Sequence, residues 1–457
     1  MSAIKITLIL VAIIGASVPA CYGLAWIPCL IVIQRLFLEP NDVVFSIGPA
    51  NVSASDFATM ILFGRYVFEI IRGRDVVRDK AVFAAIAVYL GVVFLASIFS
   101  SLKFGESHAI RCVTSCIRLV PEMLIVAMMA NALKNLTQAR RCAGILFGLL
   151  GVLVAIQFVN FVGASRGFTI GEVQGIERGE LRYFGPVGDS VGFVLLLGYL
   201  LTLCYGRLVM AVLVLASIAL TAGLGSLFAA VVATGFFLLF SRQAPAFGGT
   251  VRRLLWALPV LLFTGLVVVV LFSQTLLAPM LNRAENHGFA NSGAQRLASG
   301  IMAKKMFADN PLTGVGYMGY ERALFHYGGE EFFNLAKLDG GTANANNQFL
   351  QTLSDAGLPG ILAFALLMFC LARRVWLTAR CSDDPFFSAY FLAVFLWVLT
   401  MIFGNLAATW LMPSYISRIM WIVTGTAIGV GRLLAERASE TAAEDSAPQP
   451  AAGLTLA

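Results

Sequence analysis

The chain has 457 residues, of which 59% are hydrophobic and 12% are charged, and its formal net charge is +7. A soluble globular domain carries roughly 25% charged residues, so this composition excludes one and indicates a polytopic membrane protein. The Lys and Arg residues lie in short clusters between apolar segments, where they orient a membrane protein, and they give no support to nucleic-acid binding.

The first apolar segment runs from Ile4 to Leu38 with little interruption. As a single helix it would be roughly 50 Å long, which exceeds a hydrocarbon core of about 30 Å. We therefore expect a break at Pro19 or Pro28. The start also resembles a signal peptide that ends at Cys21, but the apolar sequence continues beyond this cysteine, which favours an uncleaved anchor.

Further apolar segments recur along the chain with lengths that suit membrane-spanning helices. They lie near residues 53–71, 81–101, 113–133, 142–162, 186–206, 208–222, 224–240, 254–275, 345–372, 385–405 and 414–431. The sequence therefore predicts an all-α polytopic transmembrane helix bundle over residues 1–437. It has about twelve spans, or thirteen if the first segment crosses twice.

Every second loop between the predicted spans is basic. The basic clusters lie at residues 72–80, 134–141, 207, 242–253, 373–380 and 432–437. Because positive loops stay in the cytoplasm, these loops and the C-terminus are predicted to face inward. Residues 438–457 are acidic and rich in Pro and Ala, so we expect a disordered cytoplasmic tail there.

The eight cysteines lie mostly in or beside apolar segments, with no CxxC pair and no neighbouring pair of histidines. Cys112 and Cys116 share a helix face by their spacing, but buried thiols are common packing residues. The sequence thus predicts packing cysteines, with no metal, no cofactor and no disulfide framework.

A long outward loop, residues 276–344, holds much of the polar content of the chain. Loops of this length without a role are uncommon. The pattern predicts an amphipathic helix ended by Asn310-Pro311, then a glycine-rich turn and a second short helix near residues 319–335. This loop would form a cap on the membrane surface; alternatively, it is a solvated loop whose charges carry no role.

A second outward loop, near residues 163–185, carries Arg166, Arg178 and Arg182. Positively charged loops normally stay in the cytoplasm, so basic residues in an outward loop indicate a role other than orienting the chain. A guanidinium offers a planar fork of donors that matches phosphate oxygens, which favours a lipid diphosphate as the ligand. For Arg166 and Arg178, anchoring to lipid headgroups is the alternative.

Several charged residues fall inside predicted spans. Arg65 with Glu69 and Arg118 with Glu122 are i, i+4 pairs that can neutralise each other on a helix face. Arg418 lies near an outer helix end without an obvious local partner, as does Asp189. These two are the better candidates for a functional role.

Three stretches, taken in order, resemble the family of O-antigen ligases and of O-antigen or exopolysaccharide repeat-unit polymerases. Arg182 lies in LRYFGPVGDSVGF, and Arg296 precedes MFADNPLTGVGYMGY, which is similar to the family's Asn-Pro-Leu-x-Gly-x-Gly. The third, NANNQFLQTLSDAGLPGIL, resembles His-Asn-x-x-Leu-x-x-Leu-x-x-x-Gly-x-x-Gly. The resemblance spans roughly residues 180–370.

The resemblance implies a metal-independent glycosyltransferase at the periplasmic face of a bacterial inner membrane, with an undecaprenyl-diphosphate-linked oligosaccharide as donor. A glycan is the acceptor, and a chain-length regulator is an expected further partner. Catalysis would depend on Arg182 and Arg296, which clamp the diphosphate, on Asn346 and on His326. Substrate binding would add Asn347, Gly314, Gly316 and Arg178.

Where ligases of the family have a His, this chain has Asn346, and an amide cannot take up a proton near neutral pH. This favours a polymerase, whose acceptor is another lipid-linked repeat unit, over a ligase that transfers to lipid A core. His326 is a candidate substitute base; otherwise it is a surface histidine.

Two readings without glycosyl transfer stay open at this point. A transporter or flippase for lipid-linked sugar would also suit about twelve spans and a basic outer cavity. However, no internal repeat is evident and the cytoplasmic loops are short, whereas many transporters have inverted repeats. A scaffold of an export complex is the other reading.

Overall fold

The structure is a computed structural model, and it describes residues 79–164, 191–221, 224–241, 288–336, 344–406 and 415–446. Shorter described pieces lie at residues 43–47, 50–53, 63–64, 66–73, 168, 172–174, 182–185 and 409. The first apolar segment, most of the predicted span at 53–71 and the predicted span at 254–275 lie outside the described residues.

Helices dominate the described chain. They are α1 (Lys80–Phe99), α2 (Ser101–Phe104), α3 (Glu106–Ala132), α4 (Leu136–Ala164), α5 (Val191–Cys204), α6 (Leu208–Leu220), α7 (Leu224–Ser241), α8 (Gly288–Asp309), α9 (Tyr320–Ala336), α10 (Gln348–Cys381), α11 (Pro385–Gly404) and α12 (Tyr415–Ser446). Two short antiparallel hairpins accompany them, formed by β1 (Val43–Ile47) with β2 (Ala50–Ser53) and by β3 (Glu172–Gln174) with β4 (Arg182–Gly185).

Six stretches of the described residues are long and apolar enough to cross a membrane. They are Lys80–Phe104, Glu106–Ala132, Leu136–Gly163, Gln348–Cys381, Pro385–Gly404 and Ser417–Glu440. Three shorter apolar helices, Val191–Cys204, Leu208–Leu220 and Gly225–Phe240, lie between them in the chain. The prediction of an all-α polytopic membrane protein is confirmed. The total of about twelve spans stays a prediction.

The centre of the bundle is α5, in which every residue is buried. A helix that is apolar on all sides must lie inside protein or lipid, and this one is enclosed by α4, α6, α7 and α11. The indole Nε1 of Trp397 on α11 donates to the backbone oxygen of Phe193 on α5 at 3.0 Å. This bond satisfies the polar atom of the largest buried side chain.

Helices α3 and α12 pack closely along two glycines. A Cβ at Gly425 would lie 2.5 Å from the carbonyl oxygen of Val126, and one at Gly429 would lie 3.0 Å from that of Ala130. Earlier on both helices, Nη2 of Arg418 on α12 donates to Oε1 of Glu122 on α3 at 2.6 Å, and both residues are buried. Arg418, for which the sequence showed no nearby partner, therefore finds one on another helix.

One end of the bundle collects arginines from the clusters that were predicted to face the cytoplasm. The guanidinium of Arg374 binds Asp79 at 2.9 Å, Arg140 pairs with Asp384, and Nη2 of Arg432 donates to the backbone oxygen of Leu133 at 2.6 Å. The same two carboxylates also cap helices, Asp79 at the start of α1 and Asp384 at the start of α11. We call this the basic end.

The last helix differs from the prediction for the tail. α12 continues to Ser446, so residues 438–446 are helical where we expected disorder to begin at 438. Glu436, Arg432 and their neighbours continue the helical spacing of the preceding apolar segment, and Arg432 lies 3.7 Å from Glu436, one turn away. Residues 447–457 lie outside the described residues.

Candidate functional site

The opposite end of the bundle is covered by α8 and α9. We call residues 288–336 the cap. Their mutual core contains Met302, Met306, Val315, Tyr320 and Leu324, and Ala345 from the segment before α10 joins the same core. The predicted amphipathic helix thus ends at Asp309, before Asn310-Pro311, and the second helix starts at Tyr320. The described part of the loop is folded, and its core includes the residue that precedes Asn346.

A tyrosine ties the two cap helices together. The hydroxyl of Tyr320, at the start of α9, donates to the backbone oxygen of Ser299 on α8 at 2.8 Å. Burial raises the pKa of Tyr320, so the hydroxyl stays protonated and remains a donor. Ser299 lies three residues after Arg296, which is exposed on α8. The bond therefore holds the part of α8 that carries this arginine.

The turn between α8 and α9 docks on α10 through its main chain. The N–H groups of Val315 and Gly316 donate to the carbonyl oxygens of Ser354 and Asp355 at 2.8 and 2.9 Å. Gly314 has a φ of 64°, and a Cβ there would lie 2.4 Å from the carbonyl carbon of Asp355. Glycine is required because a side chain would occupy the space of the α10 backbone.

Gly316 makes a similar close approach to α3 and to Ser100, the residue that caps the end of α1. Its φ is 95°, and a Cβ would lie 2.9 Å from the Sγ of Cys112 and from the Oγ of Ser100. The close contacts that Gly314 and Gly316 permit are therefore with neighbouring helices. Their predicted part in substrate binding stays a prediction.

Helix α10 bends where the turn docks. Its 34 residues would extend roughly 50 Å if straight, but Gly357 has a φ of 65° and interrupts the helix just before Pro359. The N–H of Leu358 donates to the carbonyl oxygen of Pro311 at 2.8 Å, and a Cβ at Gly357 would lie 2.5 Å from the same oxygen. The second and third sequence motifs therefore contact each other at this bend.

The segment before α10 forms a tight turn that presents Asn346. This residue has a φ of 50°, and its N–H donates to the side-chain oxygen of Asn344 at 2.8 Å. The Asn346 side chain is half-buried, and its amide makes no hydrogen bond to another described residue. Among the residues described here, this amide is thus available to a ligand.

Asn347 has a structural task. Its Oδ1 accepts from the N–H groups of Phe349 and Leu350 at 2.9 and 3.0 Å, which caps α10, and its Nδ2 donates to the oxygen of Leu406 at 2.8 Å. The second bond ties the start of α10 to the end of α11. The predicted contact of Asn347 with a substrate stays a prediction, but the amide already serves the fold.

The histidine that contacts the docked turn is His108, which the sequence analysis did not select. Its Nε2 lies 2.7 Å from the carbonyl oxygen of Val315, so this nitrogen carries the proton and donates. His326 is exposed on α9, where its ring packs edge-on against Phe104 with centroids 5.6 Å apart. A signal was present, since His108 lies in the short outward connection between the predicted spans at residues 81–101 and 113–133.

Lysine and asparagine side chains join α2 to the cap. The Nζ of Lys103 donates to the hydroxyl of Tyr327 at 2.9 Å and to Oδ1 of Asn310 at 3.3 Å. The Nδ2 of Asn310 also donates to Tyr327, at 2.8 Å. The asparagine of the Asn-Pro-Leu motif therefore holds the cap on the bundle.

The predicted arginine clamp is only partly within the described residues. Arg182 is the first residue of β4, which pairs with β3 and lies against α4, but its side chain is outside the described part, as is Arg178. The structure thus places Arg296, His326, Gly314, Gly316, Asn346 and Asn347 together at the capped end. The Arg182–Arg296 pair stays a prediction.

Comparison with known proteins identifies a family whose matched range covers most of these residues. Residues 191–365 match the model of the family described as O-Antigen ligase. The matched range lies inside the predicted region of residues 180–370 and contains Arg296, the docked turn and Asn346, whereas Arg182 precedes it. No curated protein matches the chain significantly.

Proposed function

We propose that this membrane protein, which belongs to the O-antigen ligase family through residues 191–365, polymerises lipid-linked repeat units of a surface polysaccharide. One observation carries the proposal. Two segments of the matched region, the turn at residues 310–316 and the segment from Asn346 to the bend at Gly357, dock on each other at the capped end. The hydrogen bond from Tyr320 to Ser299 fixes the part of α8 that carries Arg296.

The charges at the two ends support the orientation that the reaction needs. Arg140, Arg374 and Arg432 lie together at the basic end, and the cap lies at the other. With positive residues facing the cytoplasm, the cap faces the periplasm of a bacterial inner membrane. This is where a lipid-linked repeat unit would be extended.

The transfer step forms a bond from an acceptor hydroxyl oxygen to the anomeric carbon and breaks the bond from that carbon to the diphosphate oxygen. The hydroxyl proton passes to a base, and undecaprenyl diphosphate leaves. Arg296 and Arg182 would stabilise the negative charge that grows on the leaving diphosphate. Asn346 would orient the acceptor through its amide, because it cannot take up the proton.

The acceptor is the point at which polymerase and ligase differ. Asn346 in place of the family's His favours the polymerase, in which a second lipid-linked repeat unit supplies the hydroxyl and a chain-length regulator is a natural partner. The ligase, with lipid A core as acceptor, is the second candidate because the matched family model is described as O-Antigen ligase. An Asn346→His variant should gain measurable transfer to lipid A core if the two activities share this site.

The test is reconstitution of the full chain in proteoliposomes with an undecaprenyl-diphosphate-linked repeat unit. A ladder of products that differ by one unit supports the polymerase, and a product on added lipid A core supports the ligase. If neither forms, a deletion strain decides between enzyme and flippase. Single repeat units accumulate outside when a polymerase is absent, whereas they stay inside when a flippase is absent.

A further inference from the structure

Two turns at the capped end have strained backbones. Met318 and Asn346 are the non-glycine residues of the described chain with positive φ, at 58° and 50°. Such conformations are costly for residues with a Cβ, and they persist only where surrounding contacts hold them. The contacts that hold these two turns therefore reveal which side chains determine their positions.

One pair of side chains reaches both turns. Oε1 of Gln351 accepts from the N–H of Ala345 at 2.8 Å, next to Asn346, while its Nε2 donates to both carboxylate oxygens of Asp355 at 3.1 Å. Oδ2 of Asp355 in turn accepts from the N–H of Met318 at 3.1 Å. These bonds run without a gap from one strained turn to the other, and we call the pair the Gln351–Asp355 link.

The link is deeply buried, since both residues are 2% exposed. Burying a carboxylate is costly, and an apolar residue of similar size often gives equal or greater stability. Stability alone therefore does not account for this aspartate. A polar side chain can instead specify where each turn lies, because its hydrogen bonds are directional.

The link also connects the two sides of the proposed reaction. The Met318 turn leads directly into Tyr320, whose hydroxyl holds Ser299 on the helix of Arg296. The other turn presents the amide of Asn346. The donor-side arginine and the acceptor-side asparagine are thus joined through Gln351 and Asp355.

We propose that Gln351 and Asp355 are positioning residues that set the distance between the donor-binding helix α8 and the acceptor-binding turn at Asn346. The inference rests on the proposed glycosyl transfer. Neither residue contacts the substrate; both act through the turns they hold. A misplacement of about 1 Å between reacting groups can lower a rate roughly a hundredfold.

The first test uses Gln351→Met, Asp355→Leu and the double variant in the full-length protein, assayed in proteoliposomes with a lipid-linked repeat unit. These changes approximate the shape of each side chain and remove its hydrogen bonds. We expect each single variant to lower kcat at least about tenfold and the double variant to be no worse than the worse single one, because both break one link. Additive losses, or a folded single variant within twofold of wild type, would overturn the proposal.

Two further variants separate positioning from folding. Ser354→Ala removes a buried hydroxyl of the same helical turn that, among the described residues, donates to the backbone oxygen of Gln351. It keeps the carbonyl that accepts from Val315, so it should match wild type. Asp355→Asn keeps an oxygen that can accept from Met318, so it should recover most of the kcat. An Asp355→Asn variant as inactive as Asp355→Leu would contradict a positioning role. Thermal unfolding confirms that every variant is folded.

A second measurement does not need activity. Nitroxide labels at the exposed residues Leu312 and Leu406 report on the docked turn and on the neighbour of Asn347. We expect the distance distribution between them to broaden in Asp355→Leu and to stay narrow in Ser354→Ala. If wild type transfers no sugar, the proposed function fails, whereas an unchanged distribution in Asp355→Leu overturns the link itself.

Discussion

The two ends of the bundle use polar residues in different ways. At the basic end, carboxylates cap helices and pair with arginines, so Asp79 and Asp384 each serve a helix start and an ion pair. At the capped end, the segments are joined by main-chain hydrogen bonds at glycines with positive φ and by side chains such as Asn310, Asn347 and Lys103. The basic end closes and orients the bundle, whereas the capped end holds separate segments in one arrangement.

The contrast between the two ends predicts its largest effect for arginine substitutions. Replacing an arginine at the capped end should lower the rate of glycosyl transfer far more than replacing one at the basic end. Arg296→Ala should lower the rate of chain extension by about a hundredfold or more, because a fixed donor to the diphosphate is lost. Arg296→Lys should recover little, since the bidentate fork is absent. Polymer formed from lipid-linked repeat units is the measurement.

The matched control for this prediction is Lys304→Ala, which removes an exposed cation from the same helix. It should leave polymer formation near wild type. Near-normal polymer from Arg296→Ala would remove this residue from the clamp, and the same pair of experiments applies to Arg182.

The docked turn should be the most sensitive part of the fold at the capped end. Gly314→Ala places a Cβ within 2.4 Å of the α10 backbone at a φ of 64°, so we expect a loss of about 2 kcal/mol or more in stability. Thermal unfolding of the purified protein measures the change. Gly300→Ala is the control because its new Cβ would meet only Leu350 at an ordinary 3.6 Å; equal effects at both positions would argue against the docking.

At the basic end, Arg374→Ala should have a small effect. It breaks the contact with Asp79 at a partly exposed site, so we expect about 0.2–1 kcal/mol in stability and unchanged transfer per folded molecule. The measurement combines thermal unfolding with the polymer assay. A loss of transfer as large as that of Arg296→Ala would erase the functional distinction between the ends.

The smallest effect is expected for His326→Ala. The side chain is exposed and packs against Phe104, so its removal should leave chain length and yield unchanged. Polymer yield and chain length are the measurement. A clear loss of polymer in the variant would support His326 as the base.

Much of the fold was predictable from the sequence because membrane spans are local features. An apolar length of about twenty residues and basic loops at every second connection do not depend on distant contacts. The start of α9 at Tyr320 and the end of α8 at Asp309 also follow local rules, because Pro311 and the glycine turn prevent a continuous helix. The prediction of disorder from residue 438 was wrong for residues 438–446, which are helical, because it was based on composition alone.

The site was less predictable. The motifs indicated Arg296, Gly314 and Asn346, but the partners that explain them lie far away in the chain. Gln351 and Asp355 look like ordinary polar residues of a helix, and His108 lies 207 positions before the carbonyl it contacts. Arg418 and Glu122 similarly meet across 296 positions.

Hydrophobic length and charge asymmetry place a chain in a bilayer without any knowledge of its neighbours, and both can be read residue by residue. Which glycine faces which backbone, and which buried carboxylate accepts from which N–H, depends on how helices pack. Hydrogen bonds act only within about 3 Å, so these relations exist only after α8, α9 and α10 have come together.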